Sequence, residues 1–253
     1  MVEYEVRGHV AVLTINRPEA RNAVNRDVAS GMEAAIDKLE EDPEIWIGVL
    51  TGRGPAFSAG ADLKAVSTGT GGGLGTERGG FAGIVSRQRT KPIIAACDGP
   101  ALAGGTEIVL SCDLVVASTA ARFGVPEVKR SLVAGAGGLF RLAKVLPRNI
   151  ATELVLTGDP ISAERAYQFG MVNVLCEPGQ ALGEALALAE RIAVNAPLAV
   201  RESLNVMRAT EGMSDQEALR LSGQAMGRLA STEDYAEGPK AFIEKREPQW
   251  KGR

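Results

Sequence analysis

The sequence predicts an α/β fold with a largely parallel sheet, and three observations carry that prediction. The runs 45–51, 92–97 and 113–117 are almost continuously apolar, the signature of strands buried on both faces. Stretches with helical spacing separate them, and strand–helix–strand alternation favours parallel pairing. The 253 residues, 45% hydrophobic and 23% charged, form an ordinary globular mixture, long enough to bury a core without disulfides or a structural metal.

The elements follow in order. Residues 2–7 and 9–15 read as a hairpin turning at Arg7-Gly8. A polar loop, 16–22, leads to a helix over 25–41 with Met32, Ala35, Ile36 and Leu39 on one face, closed by Pro43. The strand 45–51 ends in the turn Thr51-Gly52-Arg53-Gly54-Pro55, and 57–64 opens a short helix. Residues 67–80 are so dense in glycine that ordering them is costly, which predicts a mobile surface loop. A helix is expected over 81–89, a strand over 92–97, a turn over 99–105, a helix over 105–111 and a strand over 113–117. Beyond 136 the pattern is helical apart from 171–175, with a hinge at Asn195-Ala196-Pro197 and a helical tail over 198–250.

Composition excludes several chemistries. A net charge of −3 and a pI near 5.5 argue against a nucleic-acid partner. The single histidine, His9, rules out HExxH and multi-histidine metal sites and reads as a structural residue beside a turn. Cys97, Cys112 and Cys176 form no CxxC pair and read as reduced thiols of a cytoplasmic protein. No metal site is expected. The acidic start is no signal peptide, and no apolar run approaches the ~18 residues that span a bilayer, so no membrane partner is expected. Gly is 30 of 253 residues, about 12% against a usual ~7%. Yet there is no GxxxxGK[ST], and the runs at 69–75 and 135–138 do not match GxGxxG.

Three segments hold chemical content. In Phe57-Ser58-Ala59-Gly60-Ala61-Asp62-Leu63-Lys64, small residues at a helix start leave backbone N–H groups uncovered. Ala103-Gly104-Gly105-Thr106-Glu107 repeats that pattern, so a Gly104 N–H could join the first loop in an oxyanion hole. Phe123-Gly124-Val125-Pro126-Glu127 adds a second glutamate. Acids at helix starts are also favoured by the helix dipole alone. Two carboxylates beside one oxyanion hole would serve acid–base chemistry, one activating water and the other protonating carbon.

These motifs, with Asn16-Arg17-Pro18, Asn22-Ala23, Lys91-Pro92-Ile93-Ile94-Ala95-Ala96, Ser111-Cys112-Asp113-Leu114, Gly135-Ala136-Gly137-Gly138 and 237–246, resemble the crotonase superfamily of enoyl-CoA hydratases and isomerases. The resemblance runs nearly end to end. It implies a spiral of β-β-α units over 1–195 and a helical oligomerisation region over 196–253, in trimers or hexamers (dimers of trimers). It implies an acyl-CoA thioester substrate, with coenzyme A part of that substrate and no other cofactor. The oxyanion hole maps onto Ala61 and Gly104, and the acid–base pair onto Glu107 and Glu127. The coenzyme A contacts map onto Ala59, Lys64, Phe242 and Lys245. Glutamates at both positions favour hydration of trans-2-enoyl-CoA. Isomerisation, dehydration, decarboxylation, thioester hydrolysis and a non-enzymatic thioester-binding role are the alternatives. The stretch after Glu127 departs from common hydratases, and Lys129 and Arg130 read as surface charges.

Overall fold

A computed structural model describes residues 1–64 and 73–253. The main sheet has six strands in the order β1-β2-β3-β6-β8-β11: Val2–Arg7, Val10–Ile15, Ile47–Gly52, Ile93–Cys97, Leu114–Ser118 and Val174–Cys176. Only β1–β2 is antiparallel, the hairpin turning at Gly8 with φ +58°. The pairs β2–β3, β3–β6, β6–β8 and β8–β11 are parallel.

Both faces of the sheet are covered at β3, β6 and β8, which is why these strands read as unbroken apolar runs, whereas the edge strand β1 is mostly exposed. Successive residues alternate between faces. Ala11, Leu13, Leu50, Ile93, Ala95, Cys97 and Val115 join the main core. Val10, Ile47, Val49, Ile94, Ala96 and Val116 pack instead against Ala185 and Ala189 of α6, Ala181–Ala193.

Helix α1, Arg26–Glu41, buries Val28, Met32, Ala35, Ile36 and Leu39 at helical spacing. Asn25 caps its start by accepting from the Val28 N–H at 3.0 Å. The buried Lys91 ammonium donates to the carbonyls of Leu39 and Asp42 at its end, each at 2.5 Å. Burial lowers the Lys91 pKa to about 8.

Three expectations change here. Residues 65–72 lie outside the described residues, so the loop expected over 67–80 is tested only from 73. There the chain forms the hairpin β4–β5, Gly75–Thr76 with Gly80–Phe81. Arg78 and Thr76 tie it to Glu33 and Asp37 of α1. The helix expected over 81–89 is a series of turns, because Gly80, Ala82 and Gly83 all take positive φ. The short strands β7, Ala101–Leu102, β9, Arg122–Gly124, and β10, Ile161–Ser162, form a second sheet in the order β10-β9-β7 that the pattern did not reveal.

Among the described residues the further α-helices are α2 (Gly104–Ser111), α3 (Gly138–Val145), α4 (Arg148–Thr157), α5 (Ala163–Gln168), α7 (Pro197–Ala209), α8 (Asp215–Leu229) and α9 (Glu233–Glu244). A break over 194–196 separates α6 from α7. Arg208 of α7 joins the tail to the sheet through Asp113, which also holds Arg89 at 3.0 Å and accepts from the Ile93 N–H. His9, expected as the first residue of the second strand, sits instead in the β1–β2 turn and stacks on Trp46 with ring centroids 3.6 Å apart, a structural role. Among the described residues no helix is long and apolar enough to cross a membrane.

Candidate active site

Strands β3 and β6 are parallel neighbours, so the loops after them leave the sheet at the same end. That end is where α/β sheets place ligands. The loop after β3 is fixed by Asn22, fully buried, whose Nδ2 donates to the carbonyls of Arg53 and Ala56 at 2.9 and 2.7 Å. Arg17 pairs with Asp62 at 2.7 Å and pins the loop's far side.

Counting N–H groups along 57–62 isolates one. The N–H of Ser58 donates to Pro100 O, that of Ala59 to Arg21 O and that of Asp62 to Val24 O. The Gly60 N–H reaches the Ser58 hydroxyl at 3.2 Å. Among the described residues the Ala61 N–H has no such acceptor.

Among the described residues the same count along 102–107 leaves two N–H groups without a backbone acceptor, those of Gly104 and Gly105, and of these two residues only Gly104 lines the neighbouring cavity. Leu102 and Ala103 donate to Ser58 O and Gly124 O, and Thr106 and Glu107 to Ala103 O. The N–H of Gly104, first residue of α2, has no backbone acceptor among the described residues. Ala103 caps this helix at φ +53°, a strained conformation for a residue with a side chain. The two loops touch: a Cβ on Gly60 would lie 2.6 Å from the Gly104 nitrogen, so only glycine permits the approach.

A cavity of about 840 Å³ opens on these donors. Ala59, Ala61, Gly104, Glu107 and Glu127 all line it. Glu107 lies one turn into α2, 3% exposed, and its Oε1 accepts from the Gly138 N–H at 2.9 Å. Burial raises its pKa, opposed by the N–H groups of Gly138 and Ala136 and by the Arg141 charge. Glu127 lies in the 3-10 turn Pro126–Arg130. Its Oε2 is buried without a hydrogen-bond partner among the described residues. Burial raises its pKa as well; its own backbone N–H opposes the rise, the neighbouring Glu107 adds to it and Arg130 opposes it. Thr106 links the two glutamates' elements, its hydroxyl accepting from the Gly124 N–H at 2.9 Å.

Five of the eight site residues expected from the sequence therefore share one cavity. Lys64, Phe242 and Lys245 do not line it. Lys64 is exposed at the end of the loop after β3, and Phe242, 85% exposed, and Lys245 lie at the end of α9. Lys129 is a surface charge paired with Asp159, as expected. Arg130 is not merely that, because it lines the cavity beside Glu127. Sequence reasoning missed Arg141, Phe81 and Val85, which also line it. The helical spacing of α3 could have placed Arg141 one turn after Gly138, but nothing local marks where it points.

The pattern of the enoyl-CoA hydratase/isomerase family matches residues 5–253. The chain belongs to this family. It is 41% identical to enoyl-CoA hydratase EchA19 of Mycobacterium tuberculosis, over 98% of this chain and 96% of the relative. It is 38% identical to a carnitinyl-CoA dehydratase of Salmonella enteritidis, over 97% and 96%. The crystal structure of an enoyl-CoA hydratase from Mycobacterium tuberculosis H37Rv superposes with a TM-score of 0.94 at 45% identity, covering 100% of this chain and 99% of that one. The α/β architecture is thus the crotonase fold.

Proposed function

We propose that this enoyl-CoA hydratase adds water reversibly, with syn geometry, across the C2=C3 bond of a trans-2-enoyl-CoA, using Glu107 and Glu127 as its acid–base pair. The observation that carries the reading is the convergence, in one cavity, of two N–H groups without a backbone acceptor among the described residues and of two glutamates, Glu107 buried and Glu127 half-buried. The Ala61 and Gly104 N–H groups receive the thioester oxygen. Each such donor is worth roughly 2.7–4 kcal/mol when charge develops on that oxygen.

Glu107 suits the base. Its carboxylate is held by backbone N–H groups, which favour the charged form. It takes a proton from water as the water oxygen bonds to C3. The π electrons move onto C2 and the thioester oxygen, giving the enolate. Glu127 suits the acid, since burial and the Glu107 charge both favour its protonated form. It delivers its proton to C2, and the enolate collapses to 3-hydroxyacyl-CoA. The reverse steps dehydrate a 3-hydroxyacyl-CoA, the direction named in the carnitinyl-CoA dehydratase relative.

Ala59, Lys64, Phe242 and Lys245 are assigned to coenzyme A, the last two reaching the site of a neighbouring subunit. In this reading 1–195 is the catalytic unit and 196–253 the oligomerisation unit of a homotrimer or of a hexamer. The exposed Met207, Leu219, Met226, Phe242 and Ile243 on α7–α9 supply apolar surface for that contact. No cofactor beyond the coenzyme A of the substrate is required by these steps. The location is assigned as cytoplasmic, on the three free thiols.

The test is loss of the conjugated thioester's ultraviolet absorbance with a short trans-2-enoyl-CoA. Rapid loss that Glu107→Gln and Glu127→Gln each abolish supports the reading. Absence of loss in a protein that binds CoA esters overturns it in favour of isomerisation or another thioester reaction.

A further inference from the structure

The glycine run 135–138 matches no phosphate motif, and its geometry points to a different purpose. Gly138 opens α3 and donates its N–H to Glu107. A Cβ on Gly138 would lie 3.2 Å from Glu107 Cγ and 3.1 Å from Val125 Cγ1, so a side chain there would press on the stem of the glutamate. Gly137 takes φ +107°, and a Cβ there would overlap Nη1 of Arg141. The run thus lets two side chains, Glu107 and Arg141, close on one backbone segment.

Arg141 spans the cavity wall. Its Nη1 donates to the Ala136 carbonyl at 3.2 Å, and its Nη2 donates to the Val85 carbonyl at 2.8 Å. One end of the guanidinium therefore grips the segment that cradles Glu107. The other grips the turn after β5, which carries Phe81 and Val85 into the cavity. A planar fork reaches two carbonyls at once, which a lysine ammonium does less well.

We propose that Arg141 is a positioning residue for the hydration step: it locks the Ala136–Gly138 segment, and through it the Glu107 carboxylate, against the wall at Val85, and its charge faces that carboxylate. The proposal rests on the acid–base reading of Glu107 given above. The charged and titratable groups acting on Arg141 are Arg89, Glu107 and Cys112, and Glu107 also acts on Glu127. Arg141 opposes the burial-driven rise of the Glu107 pKa, so its removal pushes that pKa further up. A base must be ionised to accept the water proton, so the acid limb of the kcat profile then moves to higher pH.

The test compares wild type with Arg141→Met and Arg141→Lys in steady-state kinetics across pH. The methionine variant should lose about 10²-fold in kcat, the cost of a misplaced catalytic group, with KM little changed and the acid limb displaced upward. The lysine variant keeps the charge and loses the fork, so kcat should fall while the limb stays near its wild-type position. Wild-type kcat and an unmoved limb in either variant would overturn the proposal. A carboxyl ¹³C NMR titration of Glu107, assigned by its absence in Glu107→Gln, gives a readout independent of turnover. An upward displacement in Arg141→Met supports the role, and an unmoved titration overturns it. Should wild type hydrate no enoyl-CoA, the hydratase reading falls while this titration still decides whether Arg141 governs Glu107. If Arg141→Met does not fold, Arg141→Lys carries the kinetic test alone.

Discussion

Glu107 and Glu127 enter the same cavity from two helical openings built in different ways. Glu107 belongs to the first turn of an eight-residue α-helix and is held by the N–H groups of a neighbouring glycine segment. Glu127 belongs to a five-residue 3-10 turn that ends at Ser131 in the left-handed conformation, and one of its oxygens is buried with no partner among the described residues. Burial raises both pKa values. Around Glu107 the neighbours all resist that rise, whereas around Glu127 its own backbone N–H and Arg130 resist it and the Glu107 carboxylate reinforces it. The two residues are chemically identical, so the division into base and acid comes from what surrounds each.

The largest effects should come from breaking that pair. Glu107→Gln and Glu127→Gln should each lower kcat by ~10²–10⁴-fold in the absorbance assay, as the loss of a general acid or base does. Comparable losses sharpen the comparison, and a near-normal rate in either variant breaks it. Gly104→Ala should come next. The added Cβ would lie 2.5 Å from the Phe81 ring, so either the ring or the oxyanion donor must move. A fall in kcat of roughly 10²–10³-fold is expected, with CoA-ester binding retained in calorimetry.

A smaller effect lies in stability. A carboxyl whose folded pKa is raised contributes stability below its unfolded pKa and loses it as pH rises through the folded value. Glu107→Gln should therefore melt with wild type near pH 4 and a few degrees above it at pH 8, since the amide still accepts the Gly138 N–H. A lower melting temperature than wild type at pH 8 would mean that the carboxylate's hydrogen bonds outweigh its desolvation. The smallest effect is expected at the tail, where Lys245→Ala should raise KM and leave kcat unchanged, read in the same kinetics.

The fold was legible where elements are long. The runs that became β3, β6 and β8 are buried on both faces, and their apolar continuity survives in the sequence. Strands β7, β9 and β10 have two or three residues, too few for any period to register. Residues 81–89 misled because Phe81, Ile84 and Val85 stand at helical spacing. Tight turns at positive φ place two of them in the core. The hairpin over 75–81 depends on Glu33 and Asp37, more than forty residues earlier, which no local reading weighs. In the site, the small residues at 59–61 and 103–105 and the two glutamates were visible as motifs. Arg141 was not, because its partner carbonyl at Val85 lies 56 residues away.

The most direct test of the division between the two glutamates removes water addition altogether. A saturated short-chain acyl-CoA incubated in D₂O can exchange a C2 proton through the same oxyanion hole, with only the residue that serves C2 taking part. The account predicts that deuterium enters C2 with wild type and with Glu107→Gln, and that Glu127→Gln abolishes the exchange in proton NMR. Exchange that survives in Glu127→Gln and vanishes in Glu107→Gln would contradict it.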